Sequence, residues 1–173
     1  MCEDPNKMYH MVKEFHQAFG HEVQTSPTAI PEETALNRAV WTGEEIVEFL
    51  YATAAGKEDK FKELFQGLLL GLEKAAEKIT AEKKPVEDIL VAQMDALTDI
   101  EYFNQGSFVI AGVEPFNLFE IVQNANMGKL FPDGKPRFRE GDGKIIKPPH
   151  WETEFAPEGK LQLEIERQKR GET

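Results

Sequence analysis

Glu44-Glu45-Ile46-Val47-Glu48 puts three carboxylates into five residues. At about 100° per residue they share one arc of a helix, while Ile46, Val47 and Leu50 turn elsewhere. Glu45 and Glu48 stand at i, i+3, and Glu44 and Glu48 at i, i+4, where like charges repel unless water or a cation screens them. A solvated helix face explains that motif by itself. Asp95 and Asp99 add a second acidic pair at i, i+4, with Asp88 one heptad earlier and Tyr102 following on about the same stripe. Asp is a poor helix-interior residue, so two of them beside Leu97 and Ile100, read as core-side, are costly as surface filler. If the two helices pack antiparallel, their carboxylates converge on a hard divalent cation such as Mg²⁺, which takes oxygen ligands and retains waters and phosphate oxygens.

The third feature has the opposite sign. Asn124-Ala125-Asn126-Met127-Gly128-Lys129 is followed by Lys135, Arg137, Arg139, Lys144 and Lys147, giving a local balance of +3 between Lys129 and His150 in a chain of net charge -11. Such a patch can grip a polyphosphate whose other oxygens lie on metal, although helix capping by Lys129 beside a solvated loop explains the same residues. Trp41 falls on the acidic side of its helix and is a candidate for stacking on a base, with Phe15, Phe103 and Asn104 as weaker ones. Di-iron chemistry is excluded, because Lys7, Lys13, Ala18 and Lys147 occupy the positions three before His10, His16, His21 and His150, so that no Glu-x-x-His pair exists. The lone Cys2 lacks an obvious base, and no Gly-rich phosphate loop is present.

These residues need helices to position them, and the apolar periodicity supplies them. Val12, Phe15, His16 and Phe19 before Gly20 predict a first helix, and Leu36, Val40, Val47 and Leu50 a second of about 24 residues ending near Gly56. A third carries the stripe from Phe61 to Ile79, with Gly67 and Gly71 within it as expected points of close helix packing. A fourth runs from the restart at Lys84-Pro85 to about Ala111, and a fifth from Glu114-Pro115 to about Leu130. The expected fold is therefore all-α, a bundle of four to five helices over residues 1–130. A basic, turn-rich extension over 131–151 contains a short hairpin or compact loop, and 152–173 form a terminal helix or a tail. The 173 residues, 40 % apolar and 29 % charged, suit one ordinary soluble domain with an appendage. No apolar run is long enough for a membrane span, the acidic start lacks a signal-peptide layout, and the negative net charge argues against nucleic acid; a cytoplasmic protein is expected.

Glu44-Glu45-x-x-Glu48 followed by Asp95-Ala-Leu-Thr-Asp99 resembles the paired acidic motifs of the all-α nucleoside triphosphate pyrophosphohydrolases, the MazG-like superfamily. Asn124-Ala-Asn-Met-Gly-Lys-Leu-Phe-Pro-Asp-Gly-Lys-Pro, with Arg139-Glu-Gly-Asp-Gly-Lys-Ile-Ile-Lys-Pro-Pro-His-Trp151, is similar to the C-terminal signature of its phosphoribosyl-ATP pyrophosphohydrolase-like branch, and Val12-Lys-Glu-Phe-His-Gln-Ala-Phe-Gly20 matches its start.

That resemblance implies an oligomer of helical bundles, a homodimer or homotetramer, that uses Mg²⁺ (or Mn²⁺) to split a nucleoside triphosphate into monophosphate and pyrophosphate. Residue by residue, it implies Glu45, Glu48 and Asp99 as metal ligands and Glu44 as the carboxylate that orients or deprotonates the attacking water. Many relatives carry Glu where this chain has Ala96, and Asp95 is then the nearest candidate for a fourth ligand. Asn126 and Lys129 match phosphate-contacting positions, and Lys144 belongs to the same basic block. Two other readings stand beside this one: phosphoribosyl-ATP as the substrate, and a non-catalytic helical interaction protein.

Overall fold

A computed structural model describes residues 4–141 and 143–172; the acidic start up to Glu3, with Cys2, and the turn residue Asp142 lie outside the described residues. The elements are α1 (Lys7–Phe19), α2 (Glu32–Thr53), α3 (Glu58–Glu82), α4 (Ile89–Ala111), α5 (Phe116–Met127), α6 (Trp151–Glu154) and α7 (Glu158–Lys169). The fold is all-α. Among the described residues the β pairing is a single antiparallel bridge, Phe138 with Ile145, inside the expected turn-rich extension.

The chain forms two compact units, one of Met1–Ser26 with Thr98–Thr173 and the other of Pro27–Leu97, and the boundary falls within α4. In the first, α1 and α7 each pack on α5. Gly20 ends α1 in the left-handed conformation (φ 71°), and His21 N–H donates to the His16 carbonyl at 2.8 Å, so the stop signal acts as read. Buried Gln123 donates from α5 to the Met11 carbonyl of α1 at 2.7 Å, and Asn117 donates to Glu164 of α7 at 3.1 Å. The run from Pro157 therefore holds a helix: Glu164 accepts from Arg167 twice and from Gln168, and the Arg167 guanidinium, foremost, holds its carboxyl down at about 2.

In the second unit α2 and α3 pack as a hairpin, turned at Ala55 (φ 51°) and Gly56 and pinned by Tyr51 edge-on to Phe61 at 5.4 Å. The Gln93 amide bonds both the N–H and the carbonyl of Ile30, at 2.8 and 2.9 Å, which ties the start of α4 to the strap before α2. Asp88, read as part of the acidic stripe, instead caps α4 by accepting the Val91 N–H at 3.1 Å.

Two expectations about packing are corrected. A Cβ at Gly67 or Gly71 would meet nothing within 4 Å, so neither glycine marks a close approach within the chain. Ile46 on α2 and Leu97 and Ile100 on α4, assigned to the core side, are exposed. Periodicity identifies an apolar face but not what covers it. The accessible surface of all kinds is large: the chain presents 13804 Å², where about 8,600 Å² is usual for this mass and even two separate globules sharing it would show only about 10,300 Å². Leu36, Phe49, Leu72 and Ile79 on the α2–α3 hairpin contribute to that excess.

Candidate active site

The acidic helices present their carboxylates to solvent. Glu44, Glu45 and Glu48 are exposed on α2, while Val47 and Leu50 are half-buried on another side of the same helix. Asp95 and Asp99 are exposed one turn apart on α4, about 6 Å along the axis. Among the described residues no Lys or Arg pairs with any of the five. Elsewhere lysines neutralise some helix glutamates, as Lys62 does Glu58 and Lys60 does Glu63, whereas all five acids of the two motifs are uncompensated. The donor set is oxygen only, the chemistry of a Mg²⁺ ligand set rather than of zinc or iron. No group of three His, Cys, Asp or Glu side chains among the described residues comes together closely enough to hold an ion. Trp41 is half-exposed on α2, with the Arg38 guanidinium 5.6 Å from its ring.

The basic block is organised around the C-terminal end of α5. Lys129 N–H turns to the Asn126 carbonyl, which leaves the Ala125 carbonyl without its helical partner; the indole N–H of Trp151, 26 residues on, fills that place at 2.7 Å. Trp151 and Ala125 are both buried. The Lys129 ammonium donates to Asn126 Oδ1 at 2.7 Å, so the two residues expected at phosphate already meet. Burial, and then the neighbouring Lys147 ammonium, push the Lys129 pKa down. Gly128 allows this turn to close: a Cβ there would lie 2.2 Å from two ring atoms of Phe155, just beyond α6.

Lys144 lies across the bridge from Arg139, whose N–H donates to the Lys144 carbonyl at 2.8 Å. Arg137 stacks on Phe131 at 3.9 Å. Lys147 sits 3.6 Å from the Trp151 ring centre. Sequence reading placed Lys147 in the patch and Trp151 at the end of a signature, and gave neither a separate task. The available signal was a tryptophan closing the run Pro148-Pro149-His150-Trp151 at the end of an otherwise turn-forming stretch. Asn104 lines a cavity of about 540 Å³ in the first unit with Tyr9, Gln105, Phe108 and Phe119, whereas Phe103 is exposed.

A family model for phosphoribosyl-ATP pyrophosphohydrolase matches residues 12–126, which include both acidic motifs. This chain belongs to the phosphoribosyl-ATP pyrophosphohydrolase family. The crystal structure of a "putative NTP pyrophosphohydrolase" from Exiguobacterium sp. 255-15 is similar over 99 % of this chain and 100 % of that one, with 46 % sequence identity and a TM-score of 0.88. No curated protein matches. As a member of the family, the chain is a pyrophosphohydrolase, a hydrolase acting on a phosphoric anhydride. No helix among the described residues is long and apolar enough to cross a membrane.

Proposed function

We propose that this pyrophosphohydrolase is a cytoplasmic enzyme that cleaves nucleoside triphosphates to the monophosphate and pyrophosphate with Mg²⁺, Mn²⁺ being able to substitute. The observation that carries the reading is that the five carboxylates of the family's two acidic motifs, grouped on α2 and α4, have no basic partner among the described residues, while Asn126 and Lys129 are joined in one place at the end of α5. Glu45, Glu48, Asp95 and Asp99 would hold the metal, which when bound would supply positive charge against that developing on the phosphate oxygens. Glu44 orients the attacking water and accepts its proton on a carboxylate oxygen. Lys129 and Lys144 neutralise the phosphates, Asn126 fixes the Lys129 ammonium, and Trp41 offers a face to the base.

The exposed apolar side chains on α2 and α3 support assembly with further copies of the chain, as a homodimer or homotetramer. Incubating the protein with Mg²⁺ and a panel of ribo- and deoxyribonucleoside triphosphates plus phosphoribosyl-ATP tests the reading. Pyrophosphate release from a triphosphate is expected. Release from phosphoribosyl-ATP alone would move the activity to the substrate in the family's name, and release from none would refute it.

A further inference from the structure

Lys147 is held in place more firmly than a solvated loop lysine requires. The residue after it, Pro148, is fully buried, and the Trp151 ring on which its ammonium rests is buried and hydrogen-bonded to the end of α5. A cation over a ring face gains on the order of 0.5–2 kcal/mol, depending on exposure. The same peptide group that anchors Trp151 precedes Asn126, so the tryptophan fixes the position of Lys147 relative to Asn126 and Lys129. Both ammonium groups thus hang from one anchor, Lys147 over the Trp151 ring and Lys129 on the Asn126 amide beside the carbonyl that Trp151 holds, and they repel one another; among the described residues no carboxylate pairs with Lys129, and Lys147 meets Glu152 at 3.4 Å on its exposed side. Capping the negative end of α5 needs one cation, not two. A ligand with two adjacent anionic centres converts that repulsion into binding.

We propose that Lys147, positioned by Trp151, forms with Lys129 and Asn126 a subsite for a diphosphate group. This rests on the hydrolase reading above and deepens it, since the diphosphate is either the distal part of the nucleotide or the pyrophosphate released. Lys147 is the second phosphate-binding cation; Trp151 is a positioning residue that touches no substrate. Glu152 competes with the ligand for Lys147, so its removal has an effect opposite in sign to removal of the lysine.

Calorimetric titration with inorganic pyrophosphate, and in parallel with a nucleoside monophosphate, tests the subsite in the full chain with Mg²⁺ present. For K147Q pyrophosphate binding should weaken about tenfold, close to 1.4 kcal/mol, with monophosphate binding changed less than twofold; K147R should recover most of the loss. W151L should weaken pyrophosphate with Lys147 still in place, and E152Q should tighten it. Equal weakening of both ligands, or pyrophosphate binding unchanged in K147Q and E152Q, would overturn the proposal, as would no pyrophosphate binding by the wild type. The two readings fail separately: a wild type that binds pyrophosphate through Lys147 but releases none from any nucleotide sinks the hydrolase reading, whereas full turnover with K147Q indifferent to pyrophosphate sinks the subsite.

Discussion

Gly128→Ala adds one methyl group at the point where α5 meets the segment after α6. The backbone itself tolerates alanine, since Gly128 lies at φ -62°, ψ -9°; with space available, the substitution would stabilise by about 0.4–1 kcal/mol through the unfolded chain. Space is absent. The new Cβ would be 2.2 Å from Phe155 Cγ and Cδ1 and 2.8 Å from its Cβ, against a usual carbon contact of about 3.5–4.0 Å. The ring must withdraw by more than an ångström, yet Phe155 is tied back by its N–H to the Trp151 carbonyl at 2.8 Å. Overpacking of this kind costs about 1–3 kcal/mol, which at about 2–4 °C per kcal/mol for a chain of this size lowers Tm by roughly 2–12 °C. Melting G128A, F155A and the double variant at one protein concentration separates the contact from other effects. The alanine should cost at least about 1 kcal/mol less when Phe155 is absent. An equal cost in both backgrounds, or no cost in either, would refute the reasoning.

Trp151→Phe keeps an aromatic face for Lys147 but leaves the buried Ala125 carbonyl without a donor. A loss of about 1–3 kcal/mol is expected in denaturant titration. Because the chain has two tryptophans, the variant's emission comes from half-exposed Trp41 alone and should shift to the red; an unshifted spectrum would contradict the burial of Trp151. Glu164 makes stability depend on acid. Its carboxyl is held at about 2 against an ordinary 4.5, chiefly by Arg167 and then by Gln168 and Asn117. The stabilisation is thus complete above about pH 4.5 and is lost as pH falls towards 2. Glu164→Gln should flatten the melting profile over that window, and a profile identical to wild type would show that the clasp on α7 contributes nothing.

The helices were legible because each is a local pattern. Val12, Phe15 and Phe19 repeat at helical spacing before Gly20, and the restart at Lys84-Pro85 leads to a helix beginning at Ile89. Lys129 and Asn126 were also within local reach, being three residues apart. What the pattern could not supply was the partner of each face. Ile46, Leu97 and Ile100 carry the period of a buried stripe and remain exposed, and Gly67 and Gly71 imply a close neighbour that the chain does not provide. Trp151 was missed for another reason: its role depends on the carbonyl that Lys129 leaves free at the end of α5, a contact spanning 26 residues with no periodic trace. Asp88 shows the converse, a residue on the same stripe as Asp95 and Asp99 whose task is to cap the helix.

The central claim, that the carboxylates of α2 and α4 serve one metal-phosphate centre, is tested most directly by a turnover cycle on Glu48→Gln, Asp99→Asn and the double variant. The assay is Mg²⁺-dependent pyrophosphate release from the best triphosphate of the panel, with folding checked by melting. Each single substitution should abolish nearly all turnover while leaving metal-free stability intact, because it relieves repulsion between like charges, and the double variant should lose no more than either alone. Losses that multiply in the double variant, or a single variant that retains wild-type turnover, would contradict the claim.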